Sequence, residues 1–277
     1  MTIDAALRQG QRLLEEAGID APRLTAEVLL AHATGHDRAW FYAHSTDELI
    51  ELWWIHYGRY LHQRLQGKPT QYITGHQEFY GRDFRVTPDV LIPRPETEHV
   101  IEAALEKWHP ACVDIGTGSG AIAVTLALEH GAQVIASDLS LPALKVAAEN
   151  AARLGARIDF LAADLAAPFA DASFGLVVSN PPYVPLRDQP TLQREVREHE
   201  PEIALYAGED GLDVYRRLIP EAARILKPGG WLVLEIGIWQ VEAVQSLLAD
   251  WSDVEVRPDL AGLPRVALAR SLKRDRV

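Results

Sequence analysis

Four consecutive residues, Asn180-Pro181-Pro182-Tyr183, end an apolar stretch with groups that could hold a planar amino group. The Asn180 side chain and the Pro181 carbonyl do not ionise near neutral pH, and together they could accept both N–H bonds of an amide or an aromatic amine. Prolines restrict the backbone so that this carbonyl is aimed in advance, and Tyr183 offers a ring face for stacking. Such a pocket would align the nitrogen with an electrophilic methyl group and stabilise the positive charge that develops on it. Taken alone, however, the tetrapeptide is more typical of a stiff turn after a strand.

The loop Gly116-Thr117-Gly118-Ser119-Gly120 lies between an apolar strand and a helix, and it supplies a context for that pocket. Its glycines allow a tight turn and a close approach to a ligand, and free N–H groups at the start of the helix attract an anion. About 20 residues later a second strand ends at Asp138, whose carboxylate could accept hydrogen bonds from ribose hydroxyls. The loop and this acid predict a ligand that contains adenosine. The stretch GTGSGA also satisfies the dinucleotide fingerprint G-x-G-x-x-A, so a nicotinamide cofactor stays open at this point.

Asp164 and Leu165 follow the third predicted strand, in the stretch LAADL. The carboxylate could meet an adenine amino group, and the leucine could cover the adenine ring. A helix cap or an exposed loop acid would explain Asp164 equally well.

Residues 94–277 alternate apolar β-type runs with helical patterns, which predicts a mostly parallel sheet with helices on both faces. The predicted strands are 111–115, 133–137, 157–162, 174–180, 230–236, 253–257 and 265–270. The predicted helices are 96–107, 119–130, 140–154, 211–226 and 239–250. The last two strands have no helical pattern between them, so the final pair should add an antiparallel strand. Asn180 would then lie at the carboxyl edge of the sheet, where open α/β folds bind ligands.

Residues 1–75 predict a small helical bundle, because apolar residues recur there at every third or fourth position. Gly18 and Gly35 are placed as helix ends. Ser45 and Glu48 have the spacing of a capping box and predict the start of a long helix.

Two further segments complete the organisation of the chain. Residues 76–93 alternate β-type and polar residues around Gly81, which predicts a β-hairpin connector. Residues 181–210 lack clear periodicity, and long loops in compact domains are often functional. Within them, we interpret the stretch REHEPE around His199 as a solvated loop. Arg94 and Glu96 could either fold over a cofactor or cap a helix.

Composition and charge limit the class of protein. The net charge is −12, from 39 acids and 27 bases, and a dense basic surface for nucleic acid is therefore not expected. No apolar run approaches the roughly 20 residues needed to span a bilayer, and the N-terminus resembles neither a signal nor a transit peptide, which predicts a cytoplasmic protein. One cysteine, Cys112, and ten histidines without metal-binding spacing predict neither a disulfide framework nor a metal site.

The glycine loop, Asp138 and the tetrapeptide together resemble the class I S-adenosylmethionine-dependent methyltransferases that modify planar amino groups. The stretches QYITGHQEFYG, VLIPRPETE, EPEIALYAGEDGLDVYRRL and LEIG resemble the bacterial release factor glutamine methyltransferases, and this resemblance covers nearly the whole chain. It implies a Rossmann-like α/β methyltransferase domain with a mostly parallel seven-stranded sheet, preceded by a small N-terminal helical bundle and a β-hairpin connector. The implied domains are 1–75, which would bind the release factor, the hairpin 76–93 and the methyltransferase domain 94–277.

The resemblance also implies a role for each matching residue. The cofactor would be S-adenosyl-L-methionine, with S-adenosyl-L-homocysteine as the product, and the substrate would be the glutamine of the Gly-Gly-Gln motif in class 1 peptide chain release factors. Asn180, Pro181, Pro182 and Tyr183 would hold that glutamine, with Asn180, Pro181 and Tyr183 acting in catalysis. Leu165 departs from the aromatic residue that some relatives carry over the adenine. The residues implied in cofactor binding are Gly116, Thr117, Gly118, Ser119, Gly120, Asp138, Asp164, Leu165 and Asn180.

Three alternative functions were weighed against this resemblance, and the first of them is also a methyltransferase. An adenine-N6 methyltransferase that acts on a flipped nucleic-acid base shares the tetrapeptide, but it would need an electrostatic surface for nucleic acid, which this acidic chain does not predict. A nicotinamide-dependent oxidoreductase leaves the tetrapeptide without a role. A non-catalytic adapter with a methyltransferase fold would not need both motifs intact.

Overall fold

A computed structural model describes residues 1–272, and the chain divides into two compact units. The first unit comprises Met1–His76 together with Gln193–His199. The second comprises Gln77–Leu192 and the chain from Glu200 onward. Among the described residues, no helix is long and apolar enough to cross a membrane. The described peptide bonds are all trans, including those that precede Pro181 and Pro182.

The first unit consists of helices around one apolar core. Gly18 and Gly35 follow the first two helices with φ values of 69° and 74°, as their predicted role as helix ends requires. Gly10 allows the first and fourth helices to approach closely, because a Cβ at this position would lie 1.9 Å from the Tyr57 hydroxyl. The helices are α1 (Ile3–Glu16), α2 (Pro22–Thr34), α3 (Arg38–Ala43), α4 (Glu51–Leu65), α5 (Thr70–Thr74) and α9 (Arg194–His199).

The predicted capping box at the start of α4 was wrong. The helix begins at Glu51, beyond both Ser45 and Glu48. The Ser45 carbonyl instead accepts the N–H of Asp4 at 3.0 Å, and Glu48 forms a β-bridge with Thr2. Because the backbone of this segment pairs with the N-terminus of the chain, it is not free to form the first turn of the helix.

The second unit contains a seven-stranded sheet in the order β5-β4-β3-β6-β7-β9-β8, which confirms the predicted fold class. The final pair does supply an antiparallel strand, β9, which lies between β7 and β8. The other neighbouring pairs are parallel. The strands are β3 (Cys112–Ile115), β4 (Val134–Asp138), β5 (Ile158–Ala162), β6 (Phe174–Ser179), β7 (Leu226–Glu235), β8 (Ser252–Pro258) and β9 (Pro264–Arg270).

Helices cover both faces of this sheet, so its central strands are buried on two sides. All six residues of β6 are buried, which is typical of a parallel strand between two layers of helices. One apolar cluster lies under α6 and α7, and a second lies under α10 and α11. The helices are α6 (Glu98–Glu106), α7 (Ala121–His130), α8 (Leu141–Leu154), α10 (Asp213–Ile225) and α11 (Val241–Leu247).

The predicted hairpin is present as β1 (His76–Phe79) and β2 (Arg82–Arg85). Phe79 and Phe84 are buried in the core of the second unit. The buried Asn150 on α8 fixes the end of this hairpin, because its Oδ1 accepts the Arg85 N–H at 2.7 Å and its Nδ2 donates to the Arg85 carbonyl at 2.9 Å. The same Nδ2 donates to the Ser119 carbonyl at 2.9 Å, which connects the hairpin to the glycine loop.

Candidate active site

A cavity of about 300 Å³ lies at the carboxyl ends of β3, β4, β5 and β6. Its wall contains residues that directly follow each of these strands, and segments before α6 and around the start of α10 complete it. This edge of an open parallel sheet is where such folds bind ligands.

The glycine loop follows β3 and leaves open space beside the cavity. Gly116, Gly118 and Gly120 adopt φ values of 74°, 55° and 82°, a region that favours glycine. A Cβ on Gly118 would meet no heavy atom within 4 Å, and a Cβ on Gly116 would meet only the Ser179 hydroxyl, at 4.0 Å. A Cβ on Gly120 would lie 3.1 Å from the Ala147 Cβ, so this glycine allows α7 to pack against α8. The first two glycines therefore leave room for a ligand, whereas the third serves helix packing.

Asp138 ends β4 and lines the cavity beside this loop. Its Oδ2 accepts the Gly118 N–H and its Oδ1 accepts the Ser140 N–H, each at 2.8 Å. Burial raises the pKa of Asp138, and these backbone hydrogen bonds oppose that rise. Because a carboxylate offers about four lone-pair sites, Asp138 can hold the loop and still accept hydrogen bonds from a ligand.

Asp114 lies on β3 beneath the loop, fully buried, and sequence reasoning did not single it out. Its Oδ2 accepts the Thr117 hydroxyl at 2.6 Å and the Ala123 N–H, near the start of α7, at 3.2 Å. Burial raises the pKa of Asp114 to about 7, although both hydrogen bonds lower it. The Ala123 N–H is one of the groups near the start of the helix that the sequence predicted to attract an anion. Because it donates to Asp114, it is not available to a ligand.

Asp164 and Leu165 follow β5 and both line the cavity. Asp164 Oδ2 accepts a hydrogen bond from Arg217 Nη2 at 2.7 Å, and both side chains of this pair are about half exposed. The described chain between β5 and β6 contains no helix, so Asp164 does not cap one. Its second carboxylate oxygen stays available for a ligand at the rim of the cavity.

Asn180 follows β6 and belongs to a buried hydrogen-bond chain. Its Nδ2 donates to Thr97 Oγ1 at 3.2 Å, and Thr97 Oγ1 donates to Glu235 Oε2 at 2.6 Å. The hydroxyl of Tyr183 donates to Glu235 Oε1 at 3.1 Å. Gln240 Nε2 donates to the Tyr183 carbonyl at 2.9 Å, which fixes the end of the tetrapeptide. These hydrogen bonds join the carboxyl ends of β6 and β7 to the segment before α6.

A buried ion pair connects two segments that contribute to the cavity wall. The Glu200 side chain is 1% exposed, Arg94 Nη2 pairs with its Oε1, and the Ile92 N–H donates to its Oε2 at 3.3 Å. The neighbouring Pro93 and Pro201 line the cavity. The interpretation of the stretch around His199 as a solvated loop was therefore wrong, because residues 197–199 end α9 and Glu200 is buried.

The structure brings most of the predicted site residues to one cavity. Gly120, Pro181 and Tyr183 lie behind the wall: Gly120 packs against a helix, Pro181 is buried, and the Tyr183 hydroxyl is held by Glu235. The predicted residues in the wall are Gly116, Thr117, Gly118, Ser119, Asp138, Asp164, Leu165, Asn180 and Pro182.

Sequence reasoning missed the roles of Thr97, Asp114, Glu200 and Glu235. A signal was available for two of them, since Asp114 and Glu235 are acids within otherwise apolar strands and such residues need buried partners. Thr97 and Glu200 carry no such signal, because their neighbours in the sequence are polar.

The residues around the cavity fit S-adenosylmethionine better than a dinucleotide. The Asp138 carboxylate lines the cavity beside the glycine loop, and it favours a cationic ligand there over a pyrophosphate. Tyr206 lines the cavity, and its buried hydroxyl has no hydrogen-bond partner among residues 1–272.

Two family models match this chain. The model described as PrmC N-terminal domain matches residues 5–75, and the model described as Methyltransferase domain matches residues 112–199. A release factor glutamine methyltransferase from Koribacter versatilis is 45% identical over 278 residues, which cover 98% of this chain and 99% of that protein. A release factor glutamine methyltransferase from Moorella thermoacetica is also 45% identical, with 97% of this chain and 98% of that protein covered.

Solved methyltransferase structures share a fold with about 70% of this chain. A methyltransferase from Pyrococcus furiosus superposes with a TM-score of 0.53 at 19% identity, covering 69% of this chain and 89% of that chain. A Thermus thermophilus 16S rRNA methyltransferase in complex with AdoMet and guanosine gives a TM-score of 0.52 at 20% identity, covering 71% of this chain and 49% of that chain. At these identities the matches establish a methyltransferase-like fold and no substrate.

Proposed function

The chain belongs to the release factor glutamine methyltransferase family, and on that premise we propose that it methylates the glutamine of the Gly-Gly-Gln motif in class 1 peptide chain release factors. The methyl group comes from S-adenosyl-L-methionine, and the acceptor is the side-chain amide nitrogen (N5) of the glutamine. The observation that carries this proposal is the position of Asn180, which lies in the wall of the same cavity as the glycine loop and Asp138.

In this proposal the cofactor half of the cavity is formed by the glycine loop, Asp138, Asp164 and Leu165. Asp138 accepts hydrogen bonds from the ribose hydroxyls, while Gly116 and Gly118 leave space for the ligand beside the loop. Asp164 accepts from the adenine amino group, and Leu165 covers the ring. Bound there, S-adenosylmethionine supplies an electrophilic methyl group on a sulfonium.

The acceptor half depends on groups that take hydrogen bonds without ionising. Asn180 Oδ1, in the cavity wall, accepts one N–H bond of the glutamine amide. The carbonyl of Pro181, a buried residue between the wall residues Asn180 and Pro182, accepts the other. As the N–C bond forms and the S–C bond breaks, positive charge develops on the nitrogen, and these two acceptors stabilise it. The nitrogen then loses one proton to water, and no strongly basic residue is needed because the methylated amide cation is highly acidic. Tyr183, held by Glu235, keeps the tetrapeptide in place.

An adenine-N6 methyltransferase remains the alternative that shares this acceptor chemistry. It is not favoured, because the curated relatives that match the full chain are named for release factor glutamine and the net charge is −12.

A labelling experiment tests the proposal directly. Purified protein is incubated with methyl-labelled S-adenosylmethionine and either a class 1 release factor or duplex DNA. A release factor in which the glutamine of the motif is replaced by alanine is the matched control. We expect label on the intact release factor only, at the glutamine by mass spectrometry. Label on DNA alone, or on both release factors equally, would contradict the proposed substrate.

A further inference from the structure

The hydrogen-bond chain behind Asn180 has a direction, and that direction decides which end of the Asn180 amide faces the cavity. Thr97 and Glu235 are 4% and 2% exposed, so neither can exchange its partners for bulk water. Thr97 connects Asn180 to Glu235, because its Oγ1 lies 3.2 Å from Asn180 Nδ2 and 2.6 Å from Glu235 Oε2.

The carboxylate at the far end sets the direction. Glu235 receives one hydroxyl on each oxygen, from Thr97 and from Tyr183, and an ionised carboxylate only accepts. Burial raises the pKa of Glu235, and the two hydroxyls and the nearby charge of Arg265 partly oppose that rise.

The hydroxyl of Thr97 has a single proton, and it points to Glu235. Towards Asn180, Thr97 can offer only a lone pair, so the Asn180 amide must present its Nδ2. The nitrogen and the oxygen of an amide are bonded to the same trigonal carbon and point in different directions. With Nδ2 facing Thr97, Oδ1 is therefore directed away from Thr97. The reversed amide would set Oδ1 against that lone pair and leave two acceptors facing each other in a buried site.

We propose that Thr97 and Glu235 are positioning residues that hold the Asn180 amide with its oxygen available to the acceptor nitrogen of the substrate. This inference rests on the proposed function, since only a substrate that donates N–H bonds needs an acceptor there. A flipped Asn180 would present its own N–H groups to those of the substrate, and the nitrogen would be repelled. Thr97 lies in the cavity wall and Glu235 does not, and in this role neither touches the reacting atoms.

A matched pair of variants at Thr97 separates the hydroxyl from the shape of the side chain. Thr97→Val keeps the branched shape but has no lone pair or proton, whereas Thr97→Ser keeps both. The measurements are kcat and KM for the release factor at saturating S-adenosylmethionine, the Kd for S-adenosylmethionine by calorimetry, and the melting temperature.

We expect Thr97→Val to lower kcat by at least about tenfold, which is below the loss of about 10²–10³ seen when a direct oxyanion contact is removed. The KM for the release factor and the Kd for S-adenosylmethionine should change by less than about threefold. This is under about 1 kcal/mol, because a tenfold change corresponds to about 1.4 kcal/mol. Thr97→Ser should restore kcat to within about threefold of the wild-type value.

A double-mutant cycle tests whether Thr97 acts through Asn180. If it does, Thr97→Val should have no further effect on the residual rate of Asn180→Ala, because the residue that it orients is absent. Glu235→Gln is a second, independent variant, and it should also lower kcat because its amide can donate to Thr97 and reverse the chain.

The outcomes distinguish this inference from the proposed function. Wild-type protein that labels no release factor overturns the proposed function, and the inference with it. Wild-type activity with an unchanged kcat in Thr97→Val overturns the inference alone. Equal losses in Thr97→Val and Thr97→Ser, or additive losses in the cycle, would show that Thr97 acts through packing and would overturn it as well.

Discussion

At the scale of single residues, the chemistry of this site depends on side chains that serve two partners. Asp138 holds the loop through Gly118 and the start of α8 through Ser140, and the same carboxylate faces the cavity. Asp114 holds Thr117 and the start of α7 in the same way, but from beneath the loop. Such residues couple the geometry of the loop to the affinity for the cofactor.

Asp138→Ala should weaken cofactor binding. Hydrogen bonds to charged groups contribute about 1.5–3 kcal/mol each, so the loss of the carboxylate should raise the Kd for S-adenosylmethionine by about 10- to 100-fold. Isothermal titration calorimetry measures the Kd. The matched control is Asp171→Ala, which removes an exposed acid paired with Arg224 that does not line the cavity. A Kd equal to that of the control would contradict the ribose contact.

Asp114→Asn should change how stability depends on pH. Burial raises the folded-state pKa of Asp114 from 3.8 to about 7, so this group favours the folded state fully below about pH 4 and loses that contribution as the pH rises through about 7. Asparagine does not titrate, and its carbonyl can still accept from Thr117 and Ala123. The free energy of unfolding of the variant, relative to wild type, should therefore increase between pH 4 and pH 8, as measured by urea denaturation without ligand. A difference that does not change with pH would show that Asp114 titrates normally.

At the scale of elements, the loop between β3 and α7 divides its glycines between ligand space and packing. All three have positive φ, so an alanine is strained at each position. Only Gly120 also faces a neighbouring helix, at 3.1 Å from Ala147. The glycines of the pattern G-x-G-x-G therefore meet two different requirements, space for a ligand at Gly116 and Gly118 and helix packing at Gly120.

Gly118→Ala and Gly120→Ala should separate these requirements. Gly118→Ala should cost only the backbone strain, about 1 kcal/mol of unfolding free energy, but it should weaken S-adenosylmethionine binding because the new Cβ occupies ligand space. Gly120→Ala should cost about 2 kcal/mol or more, because the new Cβ also separates α7 from α8. Urea denaturation and calorimetry measure the two effects. Equal losses of stability in the two variants would contradict the assignment.

At the scale of the whole molecule, the residues around the cavity all come from the second compact unit. The first unit is helical and matches a family model for an N-terminal domain over residues 5–75. It also includes Gln193–His199, a segment that follows the tetrapeptide in the sequence. The sequence-based boundary at residue 75 does not include that segment.

Deletion of residues 1–75 should impair methylation of a release factor while leaving cofactor binding intact. We expect the Kd for S-adenosylmethionine to stay within about threefold of the wild-type value, since the deletion removes no residue of the cavity wall. We compare the rate of the truncated protein with that of wild type on two substrates, an excised loop that carries the Gly-Gly-Gln motif and an intact release factor. The loss of rate should be smaller on the excised loop. Circular dichroism checks that the remaining chain is folded. Full activity on the intact release factor would show that residues 1–75 do not bind it.

The sequence alone determined the order of the seven strands along the chain, most of the helices and the two motifs at the strand ends, whereas α9 lies in a stretch interpreted as a loop. Strands and helices follow from local periodicity, and a parallel βαβ arrangement necessarily brings the ends of β3, β4, β5 and β6 to one edge. The capping box failed because Ser45 and Glu48 pair with the N-terminus of the chain, a contact that no local pattern encodes.

Only the tertiary structure decided how the site is held. Thr97 and Glu235 lie 138 residues apart, Arg94 and Glu200 lie 106 apart, and each pair is joined by a hydrogen bond in or near the core. A buried polar group must find a partner, but its position in the sequence does not say which of many distant groups will be brought beside it. The sequence of the tetrapeptide therefore predicts which atoms would meet a substrate, whereas the orientation that we propose for Asn180 depends on the packing of distant elements.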